Sequence, residues 1–479
     1  MRASLLFSFI LFIVTNVSSQ TYNYYFGNLH SHTAMSDGNK DSASTGVHDA
    51  AGAYAFAKLS QHFDFLGVSE HNHYSSSHNP GFRIQSYQPG LAMANSANQD
   101  GTFLALFGME WGVSSTYNGH MVIYGFNQLI GWETSVPGVV GNNYDVFNAK
   151  TDYDGIFRKV KNNSSAFCYL AHPGYSDYTT NGTSSTALAY SAYNAAYDSA
   201  IVGTPLRSGL AFSTFTNYSD YPLGDYFSYY KKLLSVGYHL GCGYDHDNHY
   251  TTFGRSTAGR LVVLMPALTR ADLTTAMQQM HFYGSDDWNA KIDFNMNGNI
   301  MGSILTGSVN PIFNVTHNDM DGEQADSIKI WKGINNHTGT LPTVVYTSLN
   351  NNTAVYSDAS SLITGTEYYY FAEIKQADGQ WIVTSPIWYT NTSAVGIKEN
   401  AKEFEFNFFP NPVNETLNIS MSDCDDYKVS LIDVTGRVVF ENSFYDKYSS
   451  LDLSKITNGV YTLEVKSKTG AKFKKLIVE

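Results

Sequence analysis

Gly27-Asn28-Leu29-His30-Ser31-His32-Thr33 closes an apolar, strand-like run and carries two histidines two positions apart. Side chains two positions apart on an extended strand point to the same face of the sheet. The imidazoles of His30 and His32 are therefore expected side by side, with Ser31 pointing away. Asp37 follows on the loop that leaves the strand. One such pair is weak evidence for a metal site, so its interpretation depends on the other strand ends.

The ends of later strand-like runs carry further histidines and carboxylates. They are Glu70-His71, Glu110, His120, His172 and the group Asp245-His246-Asp247-Asn248-His249. In a parallel barrel, strand ends converge on one mouth, where active sites are built. Glu110 would be costly to bury there unless a cation paired with it. Imidazole and carboxylate at this density favour Zn, Mn or Fe over the all-oxygen sites of Ca or Mg.

Strand-like and helical stretches alternate from residue 21 to about residue 305, which predicts an α/β domain with a parallel barrel as the expected arrangement. The predicted strands span residues 24–29, 63–69, 103–108, 120–126, 166–171, 209–215, 239–244 and 260–265. The predicted helices span residues 47–62, 226–235 and 269–280. The last of these opens on a capping signal, Thr269-Arg270-Ala271-Asp272.

The hydrophobic pattern of the sequence changes after residue 305. Residues 306–392 show period-2 runs separated by turn signals such as Asp321-Gly322 and Asp378-Gly379, which predicts a small β-sandwich. A polar linker is expected over residues 393–403. Residues 404–479 again show an all-β pattern, punctuated by Pro410-Asn411-Pro412.

The N-terminus indicates where the protein is located. Residues 1–20 combine a basic start, an apolar stretch and a small-residue exit, which predicts a secretory signal peptide. A membrane anchor is the alternative, but the run is shorter than the roughly 20 apolar residues that span a bilayer, and no later segment is long enough.

The net charge of −13 argues against nucleic-acid binding. Three cysteines exclude a disulfide framework; Cys168 and Cys242 are expected to be buried thiols, with a bridge between them as the less favoured alternative.

The histidine-rich motifs resemble those of the polymerase and histidinol phosphatase (PHP) superfamily. The resemblance rests on His30-Ser31-His32-Thr33 with Ser36-Asp37-Gly38, on Glu70-His71, Glu110 and His172-Pro173, and on Asp247-Asn248-His249. It covers residues 24 to about 305, and the later part is most similar to the secreted, carbamate-hydrolase-like branch. It implies a distorted (β/α)7 barrel that holds two or three divalent metal ions.

The resemblance also implies a division of ligands. His30, His32, Glu110 and Asp247 would share one metal; Glu110 would bridge to a second metal, held also by His120 and His172; Asp37, His71 and His249 would hold a third. Glu70 stands where the family usually has Asp, and we expect it to orient a neighbouring ligand. His246 and His73 are candidates for the proton donor, and Arg255 is a candidate contact for an anionic substrate.

Such a site predicts metal-assisted hydrolysis. Two metals bridged by Glu110 would lower the pKa of a shared water from about 15.7 towards about 7, giving hydroxide at neutral pH. By family analogy the expected substrate is a small phosphoester. A carbamate, ester or amide hydrolase on the same metals is one alternative, and a non-catalytic secreted protein that binds a metal or ligand is another.

The C-terminal segment carries a second resemblance. Residues 407–413, Asp433-Val434-Thr435-Gly436-Arg437 and Gly459-Val460-Tyr461 are similar to the C-terminal sorting domain of the type IX secretion system. This implies a Bacteroidetes-type bacterium, a partner in the secretion machinery, and export through the periplasm and outer membrane to the cell surface or medium. A generic carbohydrate-binding β-module is the alternative.

Overall fold

The computed structural model describes residues 21–73, 83–112, 119–175, 177–178, 193–195, 197–222, 224–392, 405–422, 426–467 and 470–479. The predicted signal peptide and the predicted linker at residues 393–403 lie outside this range. The chain divides into two compact units, residues 1–394 and 395–479. Among the described residues, no helix is long and apolar enough to cross a membrane.

In the histidine-rich part of the first unit, the described residues form eleven strands and six helices. The strands are β1 (Asn23–Asn28), β2 (Phe65–His71), β3 (Leu104–Trp111), β4 (His120–Tyr124), β5 (Ile130–Gly131), β6 (Val146–Phe147), β7 (Phe167–Ala171), β8 (Ile201–Ser208), β9 (Gly241–Asp245), β10 (Arg260–Met265) and β11 (Phe282–Ser285). The helices are α1 (Ser42–Thr45), α2 (Ala50–Ala57), α3 (Ile84–Ala97), α4 (Tyr153–Lys161), α5 (Phe227–Val236) and α6 (Arg270–Gln278).

Nine of these strands form one mixed sheet in the order β11-β10-β1-β2-β3-β4-β7-β8-β9, and β5 and β6 pair with each other in a separate sheet. β1, β2 and β3 are parallel, as are β7, β8 and β9, whereas β4, β10 and β11 enter antiparallel. β9 approaches β11 so closely that a Cβ on Gly284 would lie 2.1 Å from the carbonyl oxygen of Gly243. In the described part of the chain, however, no ladder joins β9 to β11 or β10, so the structure does not show the closed (β/α)7 barrel that we expected.

Most predicted elements are present with shifted ends. The predicted strand at 260–265 is found unchanged, and the Thr269 side chain accepts a hydrogen bond from the Asp272 N–H, as the capping signal indicates. The predicted strand at 209–215 is wrong, because the chain forms β8 just before it. β8 contains Pro205, which cannot donate to a ladder and lies where the β8–β9 register shifts.

The rest of the first unit is built from strands. They are β12 (Lys291–Met296), β13 (Asn299–Ile300), β14 (Ile304–Gly307), β15 (Ile312–Asn318), β16 (Ala325–Ile334), β17 (Thr343–Leu349), β18 (Thr353–Ser357), β19 (Glu367–Gln376), β20 (Trp381–Thr384) and β21 (Ile387–Asn391). β20 pairs with β11, so the mixed sheet continues into this part, and β12, β13, β15 and β18 form a second sheet.

One apolar core joins the two parts of this unit. Val262 and Tyr283 from β10 and β11 pack with Ile292, Phe313 and Ile374. The predicted β-sandwich at 306–392 therefore shares a sheet and a core with the residues before it. The unit is mixed α/β with more strand than helix, and a domain boundary at residue 305 stays a prediction.

The described residues of the second unit form seven strands in two antiparallel sheets. The strands are β22 (Phe406–Phe409), β23 (Thr416–Met421), β24 (Tyr427–Ile432), β25 (Val438–Phe444), β26 (Tyr448–Asp452), β27 (Gly459–Ser467) and β28 (Gly470–Val478). The sheet orders are β22-β23-β26 and β25-β24-β27-β28. Leu417, Val429, Leu463 and Leu476 lie in a core shared by the two sheets, as expected for a β-sandwich.

Candidate metal centre

The ends of β1 and β9 are tied together where the histidine motifs leave the sheet. The His32 N–H donates to the carbonyl of Asn248 at 3.1 Å, and the Asp247 N–H donates to the carbonyl of His30 at 2.9 Å. The Asn28 side chain accepts from the His30 and His246 N–H groups and donates to the His30 carbonyl. These bonds fix the backbone on which the side chains of His30, His32 and Asp247 stand.

Glu110 occupies the middle of the cluster. Its side chain has no solvent exposure, and it lies at the end of β3. Oε1 lies 3.3 Å from His30 Nε2, and the nearest nitrogens of the other four histidines are at similar range. The distances are 2.8 Å from Oε1 to His120 Nδ1, 3.1 Å from Oε1 to His172 Nε2, 3.2 Å from Oε2 to His32 Nε2 and 2.9 Å from Oε2 to His71 Nδ1. A buried carboxylate that faces five imidazoles is placed to bridge cations.

The structure brings all nine predicted ligands together and arranges their donor atoms in three groups. Within each group the donor atoms lie within 4.8 Å of one another. The groups are His30, Glu110, His172 and Asp247; His32, Asp37, His71 and His249; and His71, His73 and His120. His32 lies in the group with Asp37, His71 and His249, yet its Nε2 is also 3.1–3.2 Å from the three partners that the family resemblance implied, His30, Glu110 and Asp247. His172 lies 3.1 Å from its implied partner Glu110 and is grouped also with His30 and Asp247. His73 joins the donor set, and the His71-Asn72-His73 spacing, which repeats that of His30 and His32, was the signal for it.

Several side chains support the ligands without belonging to the predicted nine. Asp245 Oδ2 lies 3.2 Å from His30 Nδ1, which directs Nε2 of that ring into the cluster. Glu70 points away from the neighbouring His71 and accepts hydrogen bonds from the Thr33 N–H and from the hydroxyls of Thr33 and Ser36, in the loop that leads to Asp37. Sequence analysis named Asp245 in the group at this strand end but gave it no role, although it lies two positions before Asp247.

Charge is shared unevenly in the cluster. Burial opposes the charged form of His32, yet hydrogen bonds to Asp247 and Glu110 outweigh it and raise the pKa of His32 to about 10. Burial lowers the pKa of His71 to about 4, which Glu110 only partly offsets. Burial would raise the pKa of Glu110, but the surrounding histidines hold it well below its usual value. Without a metal, protons on some of the histidines balance the buried carboxylates.

The donor set fits divalent transition metals. His30 Nε2 and His32 Nε2 lie 3.2 Å apart, a distance at which two imidazole nitrogens need a proton or a cation between them. His172 and Asp247 also have positive φ angles, of 27° and 51°. Binding of Zn, Mn or Fe would replace the protons between the imidazoles.

Two of the predicted catalytic residues lie apart from this cluster. The His246 ring is buried, with Nε2 2.8 Å from the carbonyl oxygen of Gly259, so this histidine is engaged by the backbone and is a poor proton donor to a substrate. Arg255 places its guanidinium 4.5 Å from the ring centre of Phe56, with Nε donating to Ser60. These contacts occupy Arg255 outside the cluster, and its contact with a substrate stays a prediction.

Lys40 is a cation at the rim of the cluster. Its ammonium lies 3.9 Å from Asp37 Oδ2 and 5.6 Å from the ring centre of Phe212. The Phe212 ring is mostly exposed and lies 5.0 Å from the ring of His249. Lys40 and Phe212 together offer a positive charge and an apolar surface next to the donor atoms.

Comparison with known proteins identifies the second unit. Residues 407–479 match the family described as "Secretion system C-terminal sorting domain", which confirms the predicted sorting domain. This domain indicates type IX secretion-dependent export to the cell surface or the extracellular space in Bacteroidetes, and it implies an interaction with the Por secretion machinery. No curated protein matches the sequence.

Solved structures give only distant similarities. Dimeric latent PorU from Porphyromonas gingivalis is 18% identical, with 40% of this chain and 20% of the PorU chain covered and a TM-score of 0.17. The fibronectin(III)-like modules of Clostridium thermocellum CbhA are 11% identical, with 39% and 94% covered and a TM-score of 0.16. Similarity this low supports no conclusion about the histidine-rich unit.

Asp245→Asn is expected to weaken zinc binding about tenfold, because the neutral amide no longer makes the His30 ring more basic. A competition titration against a chromogenic chelator measures this. Asp198→Asn is the matched control: Asp198 pairs with His239 Nδ1 at 2.9 Å outside the cluster, and its loss should leave zinc affinity unchanged. Equal affinity in wild type and Asp245→Asn would show that Asp245 has no orienting role.

Truncation after Ala394 is expected to abolish export and to leave the first unit folded, because the sorting domain forms a compact unit with its own core. Fractionation of a type IX-competent host, followed by immunoblotting of cells and medium, measures the location. Thermal melting of the truncated protein tests its folding. Truncated protein in the medium would show that the export signal lies elsewhere.

Proposed function

We propose that this chain is an exported, metal-dependent hydrolase of the PHP type, with a phosphoester as the preferred substrate. The observation that carries the proposal is the buried Glu110 carboxylate, whose two oxygens face the nitrogens of five histidines. The motif resemblance over residues 24–305 supports the same assignment. The proposal includes the finer fold, a distorted barrel that opens at these strand ends.

The chain would hold two or three metal ions. Glu110 would bridge, His30, His172 and Asp247 would complete one position, and His32, Asp37, His71 and His249 would complete another. His71 and His120, with His73, offer a third. Bound Zn, Mn or Fe would supply a Lewis acid and an acidified water at neutral pH.

The protein's own groups would position the ligands and the substrate. Asp245 holds the His30 ring through Nδ1, which keeps Nε2 available to a cation. His73 has its ring centre 5.1 Å from that of His71 and 5.9 Å from that of His120. If two metals are bound and the third position is empty, His73 is the remaining candidate for proton transfer to a leaving group, since His246 is bound to Gly259.

Lys40 is the observation that favours a phosphoester over a neutral ester. A phosphoryl group at the donor atoms would place its free oxygens near the ammonium, and a charged hydrogen bond there is worth about 1.5–3 kcal/mol. A carbamate, ester or amide is the runner-up, because the same metals can activate attack on carbon. A non-catalytic metal- or ligand-binding protein is the alternative from another class.

Purified protein loaded with Zn or Mn is expected to contain more than one metal equivalent and to hydrolyse p-nitrophenyl phosphate or bis(p-nitrophenyl) phosphate. Elemental analysis and a screen that includes carboxyl esters and carbamates measure this. Glu110→Ala should lower the metal content, and it should lower the hydrolytic activity at least a hundredfold, because it removes the bridging carboxylate. Glu373→Gln, at another buried glutamate that accepts hydrogen bonds from Trp331 and Trp381, is the control. Metal-loaded protein inactive on every substrate would favour the binding protein.

Lys40→Met is expected to raise the KM for a phosphomonoester about tenfold, because a charged hydrogen bond to the substrate is lost. Steady-state kinetics with a phosphomonoester and a neutral carboxyl ester measures this, and the ester should be unaffected. Lys58→Met provides the control, since that ammonium donates to the carbonyl of Ala97 on the surface. A similar KM change for both substrates would argue against a phosphate contact.

A further inference from the structure

A second cluster of possible ligands lies in the strand-rich part of the first unit and shares no residue with the histidine centre. Asp287 follows β11, and Asp319 and Glu323 lie on the turn between β15 and β16. Their carboxylate oxygens lie within 4.8 Å of one another, and Asp287 and Asp319 are buried. The donors here are all oxygens, in contrast to the histidine centre.

Backbone groups orient the two buried carboxylates. Asp287 Oδ1 accepts from the N–H groups of Asn289 at 2.6 Å and Ala290 at 3.1 Å. Asp319 Oδ1 accepts from the N–H groups of Asp321 at 2.7 Å and Glu323 at 3.2 Å. One oxygen of each carboxylate is thereby fixed, and the other, Oδ2, is left for the centre of the cluster.

Gln376, at the end of β19, directs its amide into this centre. Its Nε2 lies 3.1 Å from Asp287 Oδ2, 3.5 Å from Asp319 Oδ2 and 3.3 Å from Glu323 Oε2. The residue is only 1% exposed, yet its Oε1 has no hydrogen-bond partner. A rotation of the amide by 180° exchanges the two atoms, so the unpartnered oxygen can take the central position.

Asn289 adds a second unsatisfied oxygen. This residue has no solvent exposure, and its Oδ1 has no partner, while its Nδ2 donates to Asp321 Oδ2 at 2.7 Å. A buried polar atom without a partner costs about 1–3 kcal/mol. The Gln376 amide, set against three carboxylates, is the group whose unpartnered oxygen a bound cation would satisfy, and Asn289, two residues after Asp287, holds a further unpartnered oxygen.

Among the described residues, no Lys or Arg forms a direct ion pair with Asp287, Asp319 or Glu323, and Arg260 acts on Asp287 only from a longer distance. Burial and the neighbouring carboxylate of Asp287 raise the pKa of Glu323 to about 7. Burial also raises the pKa of Asp287. The carboxylates thus repel one another in the absence of a cation.

We propose that Asp287, Asp319, Glu323 and Gln376 form a calcium site that pins three segments of the strand-rich part together. Carboxylate and amide oxygens from separate turns suit Ca²⁺, which takes six to eight oxygen ligands, whereas Zn prefers nitrogen or sulfur. The site joins the segment after β11, the β15–β16 turn and the end of β19. Export brings the protein to compartments where modules with Kd values of about 10⁻⁴–10⁻³ M bind calcium.

The test compares thermal melting of the full chain in chelator with melting in millimolar Ca²⁺. Wild type is expected to melt roughly 5 °C higher with Ca²⁺, because the ion binds only the folded state. Asp319→Asn and Glu323→Gln should lose this shift, and in chelator they should melt no lower than wild type, since each removes a repelling charge. Asp326→Asn, at an exposed carboxylate on β16, should keep the shift.

A second readout is luminescence of Tb³⁺ sensitised by Trp288, whose indole N–H lies 3.3 Å from Asp321 Oδ2. Tb³⁺ signal that Ca²⁺ displaces is expected in wild type and in Glu110→Ala, which alters only the histidine centre. Absence of a calcium shift in wild type would overturn the proposal. An unchanged calcium shift in Glu323→Gln would also overturn it. A Tm in Asp319→Asn that falls equally with and without Ca²⁺ would do the same, because it would show that Asp319 only caps the turn.

Discussion

The Glu110 carboxylate is fully buried at the end of β3, and five imidazoles converge on its two oxygens. A charge in that position is tolerated only with close partners of opposite sign. This requirement dictates the surrounding architecture. The histidines directed at Glu110 follow β1 and β7, close β2 and open the antiparallel β4. The bonds between the ends of β1 and β9 hold Asp247 against the same centre. Loss of the carboxylate would leave protonated imidazoles such as His32 facing one another.

That these side chains converge could be predicted from the sequence, because strand alternation fixes which side chains share a face. His30 and His32 follow that rule, and so does His71, which faces the cluster while Glu70 turns to the loop at Thr33. Alternation does not give the grouping of the side chains; the family resemblance gave part of it, since it placed Asp37 with His71 and His249, and these three lie together. Asp37 and His249 stand on loops, and His172 and Asp247 adopt positive φ, so tertiary contacts rather than a strand repeat set their positions.

The alternation of strands and helices predicted a parallel barrel, whereas the structure shows a mixed sheet, for a related reason. A strand's pairing direction depends on the length and route of its connections, which periodicity does not encode. β4 returns antiparallel between β3 and β7, and β10 and β11 carry the sheet on to β20. The strand-rich segment then completes a core around Tyr283 and Phe313 that neither part would bury alone. The period-2 pattern of residues 306–392 correctly predicted strands, but it could not show that these strands share a sheet and a core with the preceding residues.

The two clusters of the first unit offer different ligand atoms and therefore favour different metal ions. Imidazole nitrogens at the histidine centre disfavour Ca²⁺, whereas the oxygen cluster around Gln376 offers Zn no nitrogen ligand. Each cluster also carries a distinct cost when empty: protons on histidines in one, mutual repulsion of carboxylates in the other. Occupation of the oxygen cluster would hold β19 and the segment after β11 together, and β11 pairs with β10, the antiparallel neighbour of β1. Ordering of the strand-rich part would thereby brace the strand that carries His30 and His32.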